Sequence, residues 1–128
     1  MIRSVLNINN YWKVIVYFNI DYNFFNLIED ELYYLDSSDY LINKVYNNMK
    51  YNNAKAVTIS IYKYRTSIVL FNEHNSYYDY INSIIHESEH IKQHILNYYK
   101  IDDVDEEPAY TIGYIASKLI KIFNLKVI

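Results

Sequence analysis

The chain of 128 residues contains no cysteine, one glycine and one proline. Without cysteine it can form neither a disulfide framework nor a thiolate metal site, so a metal could bind only to His, Asp or Glu side chains. Because glycine and proline are so scarce, most turns must be built from Asn, Asp and Ser. The length suits one hydrophobic core, and we expect residues 1–128 to form a single domain.

A basic cluster and a long apolar run are also missing. The net charge is −3, and the Lys and Arg residues are scattered, which argues against a nucleic-acid partner. No apolar stretch approaches the roughly 20 residues that cross a bilayer, and the first residues lack the apolar core of a signal peptide. We therefore expect a cytoplasmic protein, in a bacterium or in a virus-infected host cell, and the sequence leaves its oligomeric state open.

Hydrophobic periodicity predicts an α+β domain with the element order β-α-α-β-β-α-α. Apolar residues alternate with polar ones over 12–20, 57–61 and 68–71, which predicts three strands, the last two joined as a hairpin. Between the first and second strands, apolar residues at helical spacing predict two helices. We expect a small, mostly antiparallel three-stranded sheet packed on the helices.

The last third of the chain predicts two more helices. Ser76 begins a capping-box-like sequence, and a long helix follows with apolar residues at helical spacing, namely Ile81, Ile84, Ile85, Ile91 and Ile95. After Lys100 an acidic loop leads to a last helix from about Asp105 to Phe123. Both candidate groups of metal ligands lie on these two helices.

The long helix contains the segment His86–His90, which reads His-Glu-Ser-Glu-His. Residues four apart lie on one helical face, so His86 and His90 can direct their imidazoles at one ion. Glu87 is turned by about 100° around the axis, where its carboxylate can act on a water molecule instead of binding the metal. This His-Glu-x-x-His arrangement predicts Zn²⁺ bound by His86 and His90, with Glu87 as general base.

A catalytic zinc ion needs a third protein ligand, and two carboxylates near the start of the last helix are candidates. Glu106 shares a face with Ala109 and Gly113, small residues that allow another helix to approach closely. Glu107 shares a face with larger residues that are typical of solvent exposure. We predict Glu106 as the third ligand, keep Glu107 as the alternative, and expect Gly113 at a helix–helix contact.

Two further side chains could take part in the chemistry. Tyr110 could donate a hydrogen bond to a carbonyl oxygen in the transition state, and it joins Glu87 as a candidate catalytic residue. His94 continues the histidine stripe by another four residues and could serve as a substitute ligand or as a hydrogen-bond donor to a ligand. The simpler interpretation of His94 is an ordinary surface histidine.

The segments His86–His90 and Glu106–Tyr114 together resemble the small His-Glu-x-x-His proteins encoded by bacterial phages. They are similar, more remotely, to the gluzincin-type peptidases that cut phage repressors, whose third ligand is a Glu three residues before an Ala. That relation corresponds here to Glu106 and Ala109. The resemblance covers about residues 76–123 and implies a zincin-like fold, with a small sheet over the metal helix, and a phage-encoded zinc metallopeptidase acting on a protein or peptide.

The same residues also permit a function from another class. A non-catalytic phage structural or binding protein could use the metal only to staple a pair of helices. Four protein ligands would indicate such a closed site, whereas three ligands and an open position would indicate an enzyme.

The distance between the two helical segments sets a condition on the third ligand. A continuous helix from His90 to Tyr99 advances about 13–14 Å, which would leave Glu106 too far from an ion at His90. We therefore expect either that the motif helix ends early, within 94–96, or that the loop after Lys100 doubles back along it.

Overall fold

The computed structural model has four strands and four α-helices, besides two short 3-10 helices at Tyr22–Phe24 and Tyr62–Tyr64, among the residues that it describes. These are the backbone of residues 1–103 and 106–128, and their side chains except those at 106, 107, 109 and 110. In chain order the elements are β1 (Ile2–Ile8), β2 (Trp12–Phe18), α1 (Phe25–Tyr34), α2 (Asp39–Tyr51), β3 (Ala56–Ile61), β4 (Thr66–Phe71), α3 (Tyr77–Tyr99) and α4 (Glu106–Lys126).

The strands form one mixed sheet in the order β1-β2-β4-β3. The outer pairs, β1 with β2 and β3 with β4, are antiparallel, and the central pair of β2 and β4 is parallel. The predicted sheet of three mostly antiparallel strands is therefore wrong, and so is the order β-α-α-β-β-α-α, which lacks β1. The α+β class, the three predicted strand segments and the β3–β4 hairpin are confirmed.

The missed strand, β1, lies at an edge of the sheet and has a weak hydrophobic pattern. Only Leu6 and Ile8 among its residues are buried. The following residues, Asn9 and Asn10, both have positive φ angles, 48° and 65°, as the central pair of a type I′ hairpin turn requires. The amide N–H of Tyr11 closes this turn on the carbonyl oxygen of Ile8 at 3.0 Å. The Asn-Asn pair is thus the signal that could have predicted the hairpin.

Helices cover both faces of the sheet. α1 and α2 pack on the face that presents Ile15 and Ile68, and α3 and α4 pack on the face that presents Val16 and Val69. All six residues of β4 are consequently buried. On their shared face α3 contacts β3 and β4, whereas α4 contacts β1. The motif helix therefore lies beneath the β3 side of the sheet, with α4 beside it.

The motif helix, α3, is continuous from Tyr77 to Tyr99. The side chain of Ser76 caps its start by accepting a hydrogen bond of 3.1 Å from the backbone N–H of Asp79. Lys100 ends the helix in the left-handed conformation, with a φ angle of 55°. No helix in the described part of the chain, α3 included, combines the length and apolar character that a membrane span requires.

The chain doubles back after α3. Asp103 accepts hydrogen bonds from Lys92 at 3.0 Å and from Gln93 at 2.7 Å, both of which lie well before the end of the helix. The expectation that the motif helix ends early, within 94–96, is wrong, because α3 continues to Tyr99. The alternative, a loop that doubles back along the helix after Lys100, describes the path of the chain as far as Asp103.

The predicted close contact at Gly113 is wrong. Gly113 is exposed, and a Cβ atom built there would meet no heavy atom within 4 Å. α4 instead contributes the large side chains of Ile115, Leu119 and Phe123 to the core that it shares with α3 and the sheet. The contact between the two helices thus depends on ordinary apolar packing and not on small residues.

Candidate metal centre

His86 and His90 lie one turn apart on an exposed side of α3. Their Nε2 atoms are 3.2 Å apart, and the side chain of His86 is 69% exposed. Two nitrogen ligands that bind one tetrahedral zinc ion, each at roughly 2.0–2.1 Å, would be about 3.3–3.4 Å apart. The pair is therefore spaced for chelation, although two neutral imidazoles can also share one hydrogen bond at this distance.

Glu87 lies between the histidine pair and the sheet. Its side chain is 6% exposed, and its Oε2 atom lies 3.9 Å from Nε2 of His86. One potential ligand atom from each of His86, Glu87 and His90 lies within 4.8 Å of the other two. The 3.9 Å separation exceeds the roughly 3.3–3.4 Å expected between two ligands of a tetrahedral zinc ion. Glu87 thus lies beside the place where the two histidines would hold an ion, and the three groups together could also hold one.

Consecutive residues of a helix point about 100° apart around its axis, which explains why His86 is exposed and Glu87 is buried. Ile84 and Ile91 face the core, and both are fully buried. Glu87 follows Ile84 by three residues and stays on the sheet side, whereas His86 and His90 are turned further toward solvent. An ion at the histidines would therefore be open to solvent on one side and close to a buried carboxylate on the other.

Thr58 on β3 completes the surroundings of Glu87, and it was not among the residues predicted from the sequence. Its Oγ1 atom donates a hydrogen bond of 2.9 Å to Oε1 of Glu87. The alternation of side chains in β3 could have predicted this position. Ile59 and Ile61 pack toward α1 and α2, so the polar residues that alternate with them, Thr58 and Ser60, face α3.

His94 is held in a polar network that links α3 to the sheet. Its Nδ1 atom lies 2.5 Å from Oγ of Ser60, which lies 2.7 Å from Oγ of Ser67. Nε1 of Trp12 donates to that Ser67 oxygen at 2.9 Å. The interpretation of His94 as an ordinary surface histidine is therefore wrong, because its ring is partly buried between α3 and β3.

The pKa of His94 is lowered from its ordinary value of 6.5. Burial is the main cause, because it disfavours the charged imidazolium. Electrostatic interactions with His90 and Lys44 act in the same direction. His94 is consequently neutral near pH 7, with one ring nitrogen engaged by Ser60.

The predicted third ligand and the second predicted catalytic residue lie outside the described side chains. α4 begins at Glu106, and the side chains of Glu106, Glu107 and Tyr110 are among those not described. Pro108, which is described, is buried and lines a cavity of about 330 Å³ with residues from the C-terminal part of α3. The roles of Glu106 and Tyr110 stay predictions.

Comparisons with known proteins do not add to this geometry. The chain matches no protein-family model, and no curated protein or solved structure is significantly similar to it. The resemblance to phage-encoded and gluzincin-type proteins therefore remains a prediction from the motif. The features that bear on function are the histidine pair, the buried carboxylate and their position beside the sheet edge.

Proposed function

We propose that the protein is a zinc-dependent hydrolase that cuts peptide bonds, with His86 and His90 as metal ligands and Glu87 as general base. The observation that supports this most strongly is the 3.2 Å separation of the two Nε2 atoms. Among the common metal ions, zinc suits a pair of imidazoles in a chain without cysteine. The phage origin that we propose rests on the motif resemblance alone.

The residues of the site would divide the chemistry between them. When bound, zinc lowers the pKa of a coordinated water to roughly 7 and polarises a carbonyl oxygen. Oε2 of Glu87, the oxygen that Thr58 does not engage, would accept the proton of the attacking water and pass it to the leaving amine nitrogen. If Glu87 acts as the base, the two histidines need one further protein ligand, and Glu106 remains our proposal for it.

We propose an extended protein segment as the substrate. β3 is an edge strand of the sheet, and its Thr58 contacts Glu87. A segment that added to β3 as a further strand would therefore pass beside the histidine pair. β1 is the strand at the other edge of the sheet. The motif helix α3 contacts β3 and β4, so a segment added to β1 would lie far from the histidine pair.

A non-catalytic structural or binding protein with a metal-stapled helix pair is the second candidate, and it has less support. A staple requires ligands from both helices. The ligands that we propose, His86, His90 and Glu106, come from both helices too, so a staple would be distinguished by a fourth protein ligand where the enzyme keeps an open position. Within the described side chains, the group that could hold a metal consists of His86, Glu87 and His90. The open sheet edge next to the site also favours an enzyme, because it offers a place for a substrate.

Replacing Glu87 by glutamine tests the proposed chemistry. Glu87→Gln keeps an acceptor for Thr58 but cannot take up a proton, so we expect zinc binding to persist and hydrolysis of casein to fall by at least about 100-fold. Glu89→Gln is the matched control, because Glu89 lies on the same helix and pairs with Lys92 at 2.9 Å. Full activity in Glu87→Gln, or loss of its zinc, would contradict the role proposed for Glu87.

A further inference from the structure

The carboxylate of Glu87 is fixed at one oxygen and open at the other. Thr58 donates to Oε1 at 2.9 Å, while Oε2 lies 3.9 Å from Nε2 of His86. A carboxylate is itself a good zinc ligand, at roughly 2.0–2.2 Å from the metal. A glutamate next to a metal-binding histidine could therefore act either as a further ligand or as a base, and its orientation decides between these roles.

Thr58 is well placed to fix that orientation. It lies within β3, where it pairs with Val69 of the fully buried strand β4. Its β-branched side chain has few rotamers, so the hydroxyl donor is held by the sheet and not by α3. The hydrogen bond from Thr58 thus ties the Glu87 carboxylate to an element that does not carry the histidines.

We infer that Thr58 is a positioning residue that keeps Glu87 out of the metal coordination shell and thereby reserves it as the base. This inference rests on the proposed function, since it assigns a purpose to the open oxygen of Glu87. Without the hydroxyl of Thr58, the carboxylate would be free to turn toward the ion and bind it. The site would then hold zinc more tightly and hydrolyse peptide bonds more slowly.

Zinc affinity, measured by competition with a chromogenic chelator, tests the inference. Thr58→Val removes the donor but keeps the shape and suits a strand. We expect it to bind zinc on the order of tenfold more tightly than the wild type, the scale on which neighbours of ligands change metal affinity. Thr58→Ser, which restores the hydroxyl, should match the wild type. In the double variant Thr58→Val/Glu87→Gln the gain should disappear, because the carboxylate is gone.

Hydrolysis of casein by the same variants separates this inference from the proposed function. Thr58→Val should lower kcat with little change in KM, and Thr58→Ser should restore it. If zinc affinity rises in Thr58→Val but no variant and no wild-type protein hydrolyses casein, Thr58 does hold Glu87 away from the metal, and the role of Glu87 as a base fails together with the proposed function. If hydrolysis depends on Glu87 but Thr58→Val retains wild-type affinity and kcat, the inference is overturned and the function stands. Thr58→Ala, checked by circular dichroism, replaces Thr58→Val should that variant not fold.

Discussion

Two consecutive residues of α3 have opposite surroundings, since the side chain of His86 is 69% exposed and that of Glu87 is 6% exposed. Burying a carboxylate is unfavourable unless a partner compensates it, and the hydrogen bond from Thr58 supplies part of that compensation. A cation held by His86 and His90 would supply more. The buried carboxylate beside an exposed histidine pair is the arrangement on which our proposal of a metal site rests.

His94 makes the stability of the metal-free protein depend on pH. Its pKa in the folded protein lies below 6.5, mainly because of burial and also because of His90 and Lys44. In acid the unfolded chain therefore binds this proton more readily than the folded chain, and the free energy of unfolding decreases as the pH falls below 6.5. We expect urea unfolding with a chelator present to show a larger loss between about pH 7.5 and about pH 5.5 for the wild type than for His94→Asn.

The comparison with His94→Asn isolates this one histidine. Asparagine keeps a polar group near Oγ of Ser60, the partner of Nδ1 at 2.5 Å, but it does not titrate. The other three histidines remain in both proteins, so the difference reports the proton on His94 together with its interaction with His90. Equal losses of stability in the two proteins would show that the proton on His94 is not the cause.

At the scale of helices, strands and turns, the chain has a single glycine, so residues with a Cβ atom adopt the left-handed backbone conformation where turns and helix ends require it. Asn and Asp tolerate this conformation better than other residues with a Cβ atom. Two of the positions, however, carry long basic side chains. Among the residues that the structure describes, those with positive φ are Asn9, Asn10, Asn19, Asp36, Asn52, Arg65 and Lys100. The ends of α2, at Asn52, and of α3, at Lys100, belong to this set.

Replacing Lys100 by glycine should stabilise the protein. The left-handed conformation costs a residue with a Cβ atom about 1–2 kcal/mol, and the extra freedom of glycine in the unfolded chain offsets about 0.5–1 kcal/mol of that. We expect Lys100→Gly to raise the free energy of unfolding by about 0.5–1 kcal/mol in urea titrations. Asn52→Gly, at a φ angle of 52°, is the matched control and should gain less. An equal gain at both positions, or a loss at Lys100, would contradict this account.

Elements with strong local signals could be predicted from the sequence. The cap at Ser76 and the histidine spacing of α3 depend only on neighbouring residues, and the structure contains the cap and brings the two histidines together. β1 was missed because an edge strand needs few buried residues, and Leu6 and Ile8 alone do not define a period. Thr58 was missed because its partner Glu87 is 29 residues away along the chain.

At the scale of the whole molecule, the parallel pairing of β2 with β4 could not be predicted from local sequence patterns. It aligns Lys13 to Tyr17 with Thr66 to Leu70, after a connection that contains α1, α2 and β3. No local period encodes such a pairing, because it depends on the helices covering both faces of the sheet. The same arrangement leaves β3 as an edge strand above the motif helix, which is why the site lies beside an open edge.

The metal content of the purified chain tests the central claim most directly. The protein is loaded with zinc, and the excess is removed by gel filtration. We then expect inductively coupled plasma mass spectrometry to find about one zinc ion per wild-type chain. His86→Ala leaves a single imidazole at the site and should retain almost none. Asn97→Ala, an exposed change on the same helix, should bind zinc as the wild type does. A wild-type chain without zinc, or a His86→Ala chain that retains its full complement, would contradict the account.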